Sequence, residues 1–255
     1  MLYLADLPAE NEIIAFYSNY SGYIQKQPGK IKPWALPLSY YTNPFIAILL
    51  ATGGIRHLSI CEIGCLYGFF LELVKYGGGE PYGVELDETA NLHLSQRGIP
   101  NSRILDPRKK YDVICLFQVL EHLVKPSDLI ASISQALNPD GRLLISVPNG
   151  REYDKVGYSW VGFRVDLEHV NYFDLGSLAK LFEPYGLLIE HFCEHAQPQI
   201  GRLTGASTLP SSPLSRALLK GARTVKRLLW GKGFTDQGSF VLTALARKAH
   251  PNKPA

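Results

Sequence analysis

From Leu58 onward, short apolar runs alternate with segments whose apolar residues recur every three or four positions. The runs near 58–62, 81–85, 102–105, 111–117, 141–147, 187–193 and 239–246 have the length and composition of strands. The segments near 67–76, 88–97, 126–137 and 174–184 predict helices. Strand and helix in alternation make a mostly parallel sheet clothed by crossover helices. Gly77-Gly78-Gly79 follows a helix and precedes a strand, so it reads as a helix stop rather than a phosphate loop. Asn138-Pro139-Asp140-Gly141 predicts a turn that ends one helix and leads into the strand from Gly141. The last two strands come close to a hairpin at the sheet edge, interrupted by a long insertion.

The first strand–helix junction, Ser59-Ile60-Cys61-Glu62-Ile63-Gly64-Cys65-Leu66-Tyr67-Gly68-Phe69-Phe70-Leu71, carries the first chemical signal. An apolar run holds an acid near its end, passes two glycines four residues apart and becomes a helix whose N-terminal amides face the strand end. About 20 residues on, Pro81-Tyr82-Gly83-Val84-Glu85 ends in a second acid, the spacing at which a carboxylate accepts hydrogen bonds from a ribose. The frame from Gly64 lacks the second and third glycines of a G-x-G-x-x-G dinucleotide fingerprint. Glu62 would repel a diphosphate and suits a cation. S-adenosylmethionine, with an ammonium, a sulfonium and a ribose but no phosphate, fits these residues.

Composition narrows the class. The chain has 255 residues, 46% hydrophobic and 19% charged, enough for one large core with additions. Met1–Glu12 shows no basic leader, and the longest apolar stretch, 44–54, is too short to cross a bilayer. Cys61, Cys65, Cys115 and Cys193 lack paired C-x-x-C spacing and read as buried free thiols, so a cytoplasmic location is expected.

The middle of the chain supplies a resemblance. Tyr111-Asp112-Val113-Ile114-Cys115-Leu116-Phe117-Gln118-Val119-Leu120-Glu121-His122-Leu123, with Pro126, precedes Leu137-Asn138-Pro139-Asp140-Gly141-Arg142-Leu143-Leu144-Ile145-Ser146-Val147-Pro148-Asn149. Glu168-His169-Val170-Asn171-Tyr172-Phe173 follows, then Leu178 and Gly186-Leu187. These segments, with the glycine junction as motif I, resemble the small-molecule branch of class I S-adenosylmethionine-dependent methyltransferases, including quinone-precursor O-methyltransferases. The departure in motif I is Leu66, which stands where a glycine is usual. The resemblance implies an α/β fold: a seven-stranded, Rossmann-like, mostly parallel sheet with helices on both faces and strand order 3-2-1-4-5-7-6.

It also implies an organisation. Residues 1–56 are expected to form a helical, aromatic cap and 57–195 the cofactor-binding core. A basic insertion at 196–236, the last core strand at 237–247 and a disordered tail at 248–255 would complete the chain. S-adenosylmethionine would be held by Glu62, Gly64, Cys65, Gly68 and Phe69, by Glu85 and Leu86 at the ribose, by Asp106 near the adenine and by Gln118 near the methionine part. Methyl transfer is an in-line displacement that needs alignment and, for a hydroxyl acceptor, removal of a proton. His122 and then His169 are the candidate bases. Some of the similar quinone-precursor enzymes bind a divalent cation through E-x-x-E-H. The corresponding run here is Gln118-Val119-Leu120-Glu121-His122, and an amide is a poorer ligand for a hard cation, so no metal is expected. Tyr20, Tyr23, Trp34, Tyr153 and Trp160 are the candidates for an aromatic wall around the acceptor.

Residues 202–232 carry seven basic residues and no acid, so with a net charge of +3 the rest of the chain is net acidic. Leu214, Leu218, Ala222, Val225 and Leu229 recur at helical spacing beside Arg216, Lys220, Arg223 and Arg227. Such a basic amphipathic helix over 214–230 suits a lid packed on its own domain, an anionic membrane surface or an acidic partner. A nucleic-acid acceptor is not expected: the net charge is mild and the segment after the fourth strand lacks [DNS]-P-P-[YF]. The sequence therefore points to a methyltransferase of a small-molecule acceptor, with O-methylation first. N- or C-methylation of a natural product or sugar, and a non-catalytic module that binds the cofactor, remain alternatives. It fixes neither the acceptor nor an oligomeric state.

Overall fold

The computed structural model describes residues 2–3, 7–26, 38–156, 169–195 and 241–249. The expected basic insertion, Trp34, Trp160 and Glu168 lie outside them.

Seven strands form one sheet: β1 Ser59–Ile63, β2 Glu80–Val84, β3 Asn101–Ser102, β4 Tyr111–Phe117, β5 Leu137–Pro148, β6 Leu187–His195 and β7 Val241–Lys248. Their order is β3-β2-β1-β4-β5-β7-β6, the arrangement expected from the sequence. β3 to β5 run parallel, and β7 pairs antiparallel with both β5 and β6. Leu2–Tyr3 also pairs antiparallel with Asn171–Tyr172 outside this sheet.

The period of two along the central strands explains why both faces are covered. Ile60, Val113, Cys115, Leu144 and Leu245 pack on one face with Ile48 of α3 (Leu38–Thr52) and Phe70, Leu71 and Val74 of α4 (Phe69–Tyr76). Leu94 of α5 (Glu88–Gln96) completes that layer. Their sequence neighbours Cys61, Ile114, Leu116, Leu143, Ile145, Ala244 and Ala246 turn to the other face. There they meet Ile130, Ile133 and Ala136 of α6 (Pro126–Ala136) and Leu178 and Phe182 of α8 (Leu175–Phe182). A strand buried on both sides reads as a continuous apolar run, which is the pattern of Val113–Phe117 and Leu143–Val147. Each such Leu, Ile or Phe contributes roughly 1.5–3 kcal/mol by leaving water. All four cysteines are buried free thiols.

Most boundaries shift by a residue or two from the sequence expectation, and three differences alter the architecture. β3 is reduced to Asn101–Ser102 rather than 102–105. The Asn138–Gly141 turn does not separate helix from strand: β5 already begins at Leu137 opposite Tyr111, and Arg142 is the next paired residue, opposite Val113. The extra residues bulge out, with Asp140 in the left-handed region at φ 59°. At the other end Lys248 belongs to β7 rather than to a tail, its Nζ donating to the Leu137 carbonyl at 2.9 Å. Gly77 does close α4, and Gly78 takes φ 82°.

Two short helices, α1 (Glu10–Tyr17) and α2 (Tyr20–Lys26), precede this core. Glu12 accepts from the Ala9 N–H at 2.9 Å and steadies the start of α1. After β5 comes α7 (Tyr153–Val156). No helix among the described residues is long and apolar enough to cross a membrane.

Candidate active site

Strand order reverses between β1 and β4, and in open α/β sheets the crevice beyond the carboxyl ends at that point is where ligands bind. The residues placed there are Glu62 and Gly64 from β1 and its turn, Glu85 after β2, Gln118 after β4 and Asn149 after β5.

The turn after β1 is held in an unusual backbone path. Gly64, Leu66 and Gly68 take φ of 71°, 45° and 69°. A Cβ on Gly64 would lie 2.5 Å from Val119 Cγ2, and one on Gly68 would lie 2.3 Å from Leu94 Cδ2. Glycine is required at both positions, by conformation and by space. Leu66 adopts the left-handed conformation without being glycine. Its reward is a hydrogen bond from its N–H to Glu85 Oε2 at 2.8 Å, which ties the turn to the end of β2.

Glu62 and Glu85 form an acidic floor. Glu62 is buried, and its Oε2 has no hydrogen-bond partner. Burial, and then the neighbouring Glu85, push its carboxyl well above the usual carboxylate range. Glu85 is raised as well, first by burial, but backbone N–H groups of Asp87, Leu66 and Leu86 pull it back. A buried carboxyl with an unpartnered oxygen is costly unless a ligand completes it, and here a cation or hydrogen-bond donor would.

The other expected cofactor residues divide. Phe69 opens α4 beside the turn, and Leu86 follows Glu85, both half-buried. Cys65 turns its side chain into the core beside Leu71 and Leu94, its Sγ 3.9 Å from the Val84 carbonyl, so only its backbone faces the crevice. Asp106 is occupied by Arg108: Oδ1 accepts from Arg108 N–H and Nε, Oδ2 from Nη2, which lowers its carboxyl to about 2. That carboxylate already serves its own turn, with capacity left for one further donor at Oδ2. Gln118 sits in the left-handed region at φ 57°, its N–H bonded to the Ser146 carbonyl at 2.9 Å.

The histidines meet. His122 ends a short 3₁₀ turn after β4, and His169 precedes the Asn171–Tyr172 pairing; their ring centroids are 4.8 Å apart at 66°. The Val170 N–H donates to the Glu121 carbonyl at 2.9 Å, which splices the two segments. Glu121 is fully buried, with Oε1 3.9 Å from His122 Nε2. The ligating atoms of Glu121, His122 and His169 lie within 4.8 Å of one another, a separation a divalent cation can span. One imidazole nitrogen is already claimed, however: His122 Nδ1 and the Tyr17 hydroxyl are 2.8 Å apart.

Tyr17 is the site residue the sequence did not single out. It ends α1 within a packed aromatic group, 5.0 Å from Phe16 and 5.1 Å from Tyr20 between ring centroids, while Tyr20 and Tyr23 stack at 5.9 Å. The spacing Phe16, Tyr17, Tyr20, Tyr23 was the available signal, since residues three and four apart share one face of a helical stretch. Ser21 was missed too. Its N–H and Oγ both donate to Asp87 Oδ2, at 2.9 and 2.8 Å, while Asp87 Oδ1 caps α5 through the Ala90 N–H. The cap is thus pinned to the loop after β2 through Ser21 and to the loop after β4 through Tyr17, and it straddles β1. Tyr153 stands on α7, past the end of β5.

Comparison with known proteins bears on the family and the fold. A family model described as a methyltransferase domain matches residues 23–191. The ubiquinone biosynthesis O-methyltransferase of Proteus mirabilis is 28% identical over 108 residues, 38% of this chain and 44% of its own length. The chain thus spans less than half the length of that relative. Two solved structures share the fold. The Burkholderia thailandensis 1,6-didemethyltoxoflavin-N1-methyltransferase, with that compound and S-adenosylhomocysteine bound, has a TM-score of 0.61 and 17% identity, over 97% of this chain and 93% of its own. The magnesium protoporphyrin IX methyltransferase of Synechocystis, with S-adenosylhomocysteine bound, has a TM-score of 0.58 and 13% identity, over 94% and 100%.

Proposed function

The chain belongs to the methyltransferase-domain family, and from that premise we propose that it transfers the methyl group of S-adenosylmethionine to a small-molecule acceptor, at a hydroxyl oxygen. The observation that carries the reading is the pair of strand-end carboxyls, Glu62 with its unpartnered Oε2 and Glu85 bonded to the left-handed turn. Glu62 offers an acceptor to an ammonium group, Glu85 to ribose hydroxyls, and Gly64 and Gly68 hold the left-handed turn that follows β1.

S-adenosylmethionine supplies an activated methyl on a sulfonium, so this chain has three tasks: to align the acceptor, to exclude water and to receive a proton. Tyr20, Tyr23 and Tyr153 furnish an aromatic wall for an acceptor of modest size. His122 and His169, whose rings pack against each other, supply imidazoles that can take up and pass on a proton. The reaction requires no metal, and with Gln118 in place of a carboxylate the Glu121–His122–His169 group is read as proton-handling; turnover in excess EDTA is the outcome this reading requires. Leu66 and the short loop after β3 are the grounds for a non-catalytic module, and Leu66 takes, at φ 45°, the left-handed conformation that glycine adopts readily.

Calorimetry and thermal shift test the reading. At S-adenosylmethionine about 100-fold above its dissociation constant the protein should gain about 2.7 kcal/mol, while NADH and ATP leave it unmoved. Transfer of labelled methyl from S-adenosylmethionine to 3,4-dihydroxybenzoate, a hydroxylated aromatic probe, tests the oxygen acceptor. Tight NADH or ATP binding without S-adenosylmethionine binding would overturn it.

A further inference from the structure

We infer that Tyr17, on the N-terminal cap, is the group that takes the acceptor's proton, with His122 acting through it and Glu121 standing behind His122. This rests on the methyltransferase reading above and deepens it, replacing a histidine base with a carboxylate–imidazole–phenol relay.

The distances link three groups in sequence. Glu121 Oε1 lies 3.9 Å from His122 Nε2, beyond a hydrogen bond but within ion-pairing reach, and His122 Nδ1 lies 2.8 Å from the Tyr17 hydroxyl. The two ring nitrogens therefore have different neighbours. A neutral imidazole carries one N–H, and beside a fully buried carboxyl it is better placed on Nε2 than on Nδ1. That tautomer leaves the Nδ1 lone pair toward Tyr17, which donates its O–H to it. A nitrogen engaged in this way cannot also take a proton from an acceptor. The phenol oxygen can, and the ring that carries it packs against those of Phe16 and Tyr20, the latter part of the proposed aromatic wall. The order acid, imidazole, hydroxyl is that by which serine hydrolases activate an oxygen.

The step balances. The acceptor oxygen bonds to the methyl carbon, and the carbon–sulfur bond breaks with its electron pair going to sulfur. The acceptor's proton passes to the Tyr17 oxygen as the Tyr17 proton passes to His122 Nδ1. The imidazolium that results faces the Glu121 carboxyl and the His169 ring, and it gives its proton to solvent after product leaves. Among the described residues, the titratable groups facing His122 include Tyr17 from α1, Glu121 from its own turn and His169 from the segment before Asn171.

Two measurements decide it. In ¹⁵N-histidine-labelled protein with S-adenosylhomocysteine, His122 (assigned with His122→Gln) should show a protonated Nε2 and a hydrogen-bond-accepting Nδ1, and Tyr17→Phe should abolish the second signature. A protonated Nδ1 in the parent protein would overturn the relay whether or not any acceptor is known. With 3,4-dihydroxybenzoate as probe, Tyr17→Phe should lower kcat about 100-fold or more, with KM and cofactor affinity nearly kept. 3-Fluorotyrosine at position 17 should move the acid limb of the pH profile. Tyr17→Phe/His122→Gln should be no slower than either single variant, because the two act as a unit. Full turnover by Tyr17→Phe would sink the relay and leave the methyltransferase reading intact. No S-adenosylmethionine binding by the parent protein would sink that reading, and the histidine tautomer would still be measured.

Discussion

Leu66 donates its N–H to Glu85 Oε2 across 2.8 Å while holding a φ of 45°, so one strained residue joins the glycine turn to the second strand end. The left-handed region costs a residue with a Cβ about 1–2 kcal/mol, and a glycine would not incur that cost. Leu66→Gly should therefore leave the protein unchanged or up to about 1 kcal/mol more stable to urea, after the entropy glycine adds to the unfolded chain. Cofactor affinity should be kept. A clear loss of stability would mean that the leucine side chain, rather than the backbone path, is what the turn needs.

Glu85→Gln tests the other half of the bond. Glu85 Oε1 also accepts from the Asp87 N–H at 3.0 Å, and an amide has only one oxygen. One buried donor is then orphaned, at about 1–3 kcal/mol. Both a lower urea midpoint and at least tenfold weaker S-adenosylmethionine binding by calorimetry are expected.

Glu62 sets a pH dependence. Burial holds its carboxyl well above the usual carboxylate range, so the unfolded chain loses this proton at lower pH than the folded protein does. The contribution of Glu62 to stability therefore declines as pH rises from the usual range toward the raised value. An ammonium beside Oε2 favours the ionised form, so binding should expel a proton and tighten as pH rises. Calorimetry in buffers of different ionisation heat measures that proton. Its number should fall in Glu62→Gln, and an unchanged number would show that another group titrates.

Much of this was legible in the sequence because it is local. Strands buried on both faces read as continuous apolar runs, and Glu62, Gly64, Gly68 and Glu85 lie within one strand–helix–strand unit. What was not legible depends on distance along the chain. Tyr17 and His122 are 105 positions apart, Ser21 and Asp87 are 66 apart, and neither pairing follows from periodicity. The Asn138–Gly141 segment has the composition of a turn. It became a bulge because Leu137 is already paired with Tyr111, and tertiary pairing overrode local preference. Asp106 looked like a ligand group since it is the lone acid of its loop, yet Arg108, two residues on, occupies it.

The Ser21–Asp87 contact should control how firmly the cap is seated. Asp87 is 1% exposed and Ser21 3%, so their bonds form out of water, where a lost partner is felt. Ser21→Ala removes the Oγ donor but keeps the N–H, and should cost about 1 kcal/mol. That is about a fivefold rise in exchange of the α1 and α2 amides if the cap opens as a unit, with the sheet amides unchanged. Asp87→Ala removes the α5 cap as well and orphans the Ser21 N–H and Oγ. It should cost about 2–4 kcal/mol and speed exchange in α5 alongside the cap. Because α1 carries Tyr17, the looser cap of Ser21→Ala should also weaken the His122 Nδ1 signature, though no atom near His122 has changed. Faster cap exchange with an undisturbed His122 signal would show that the two pins act separately.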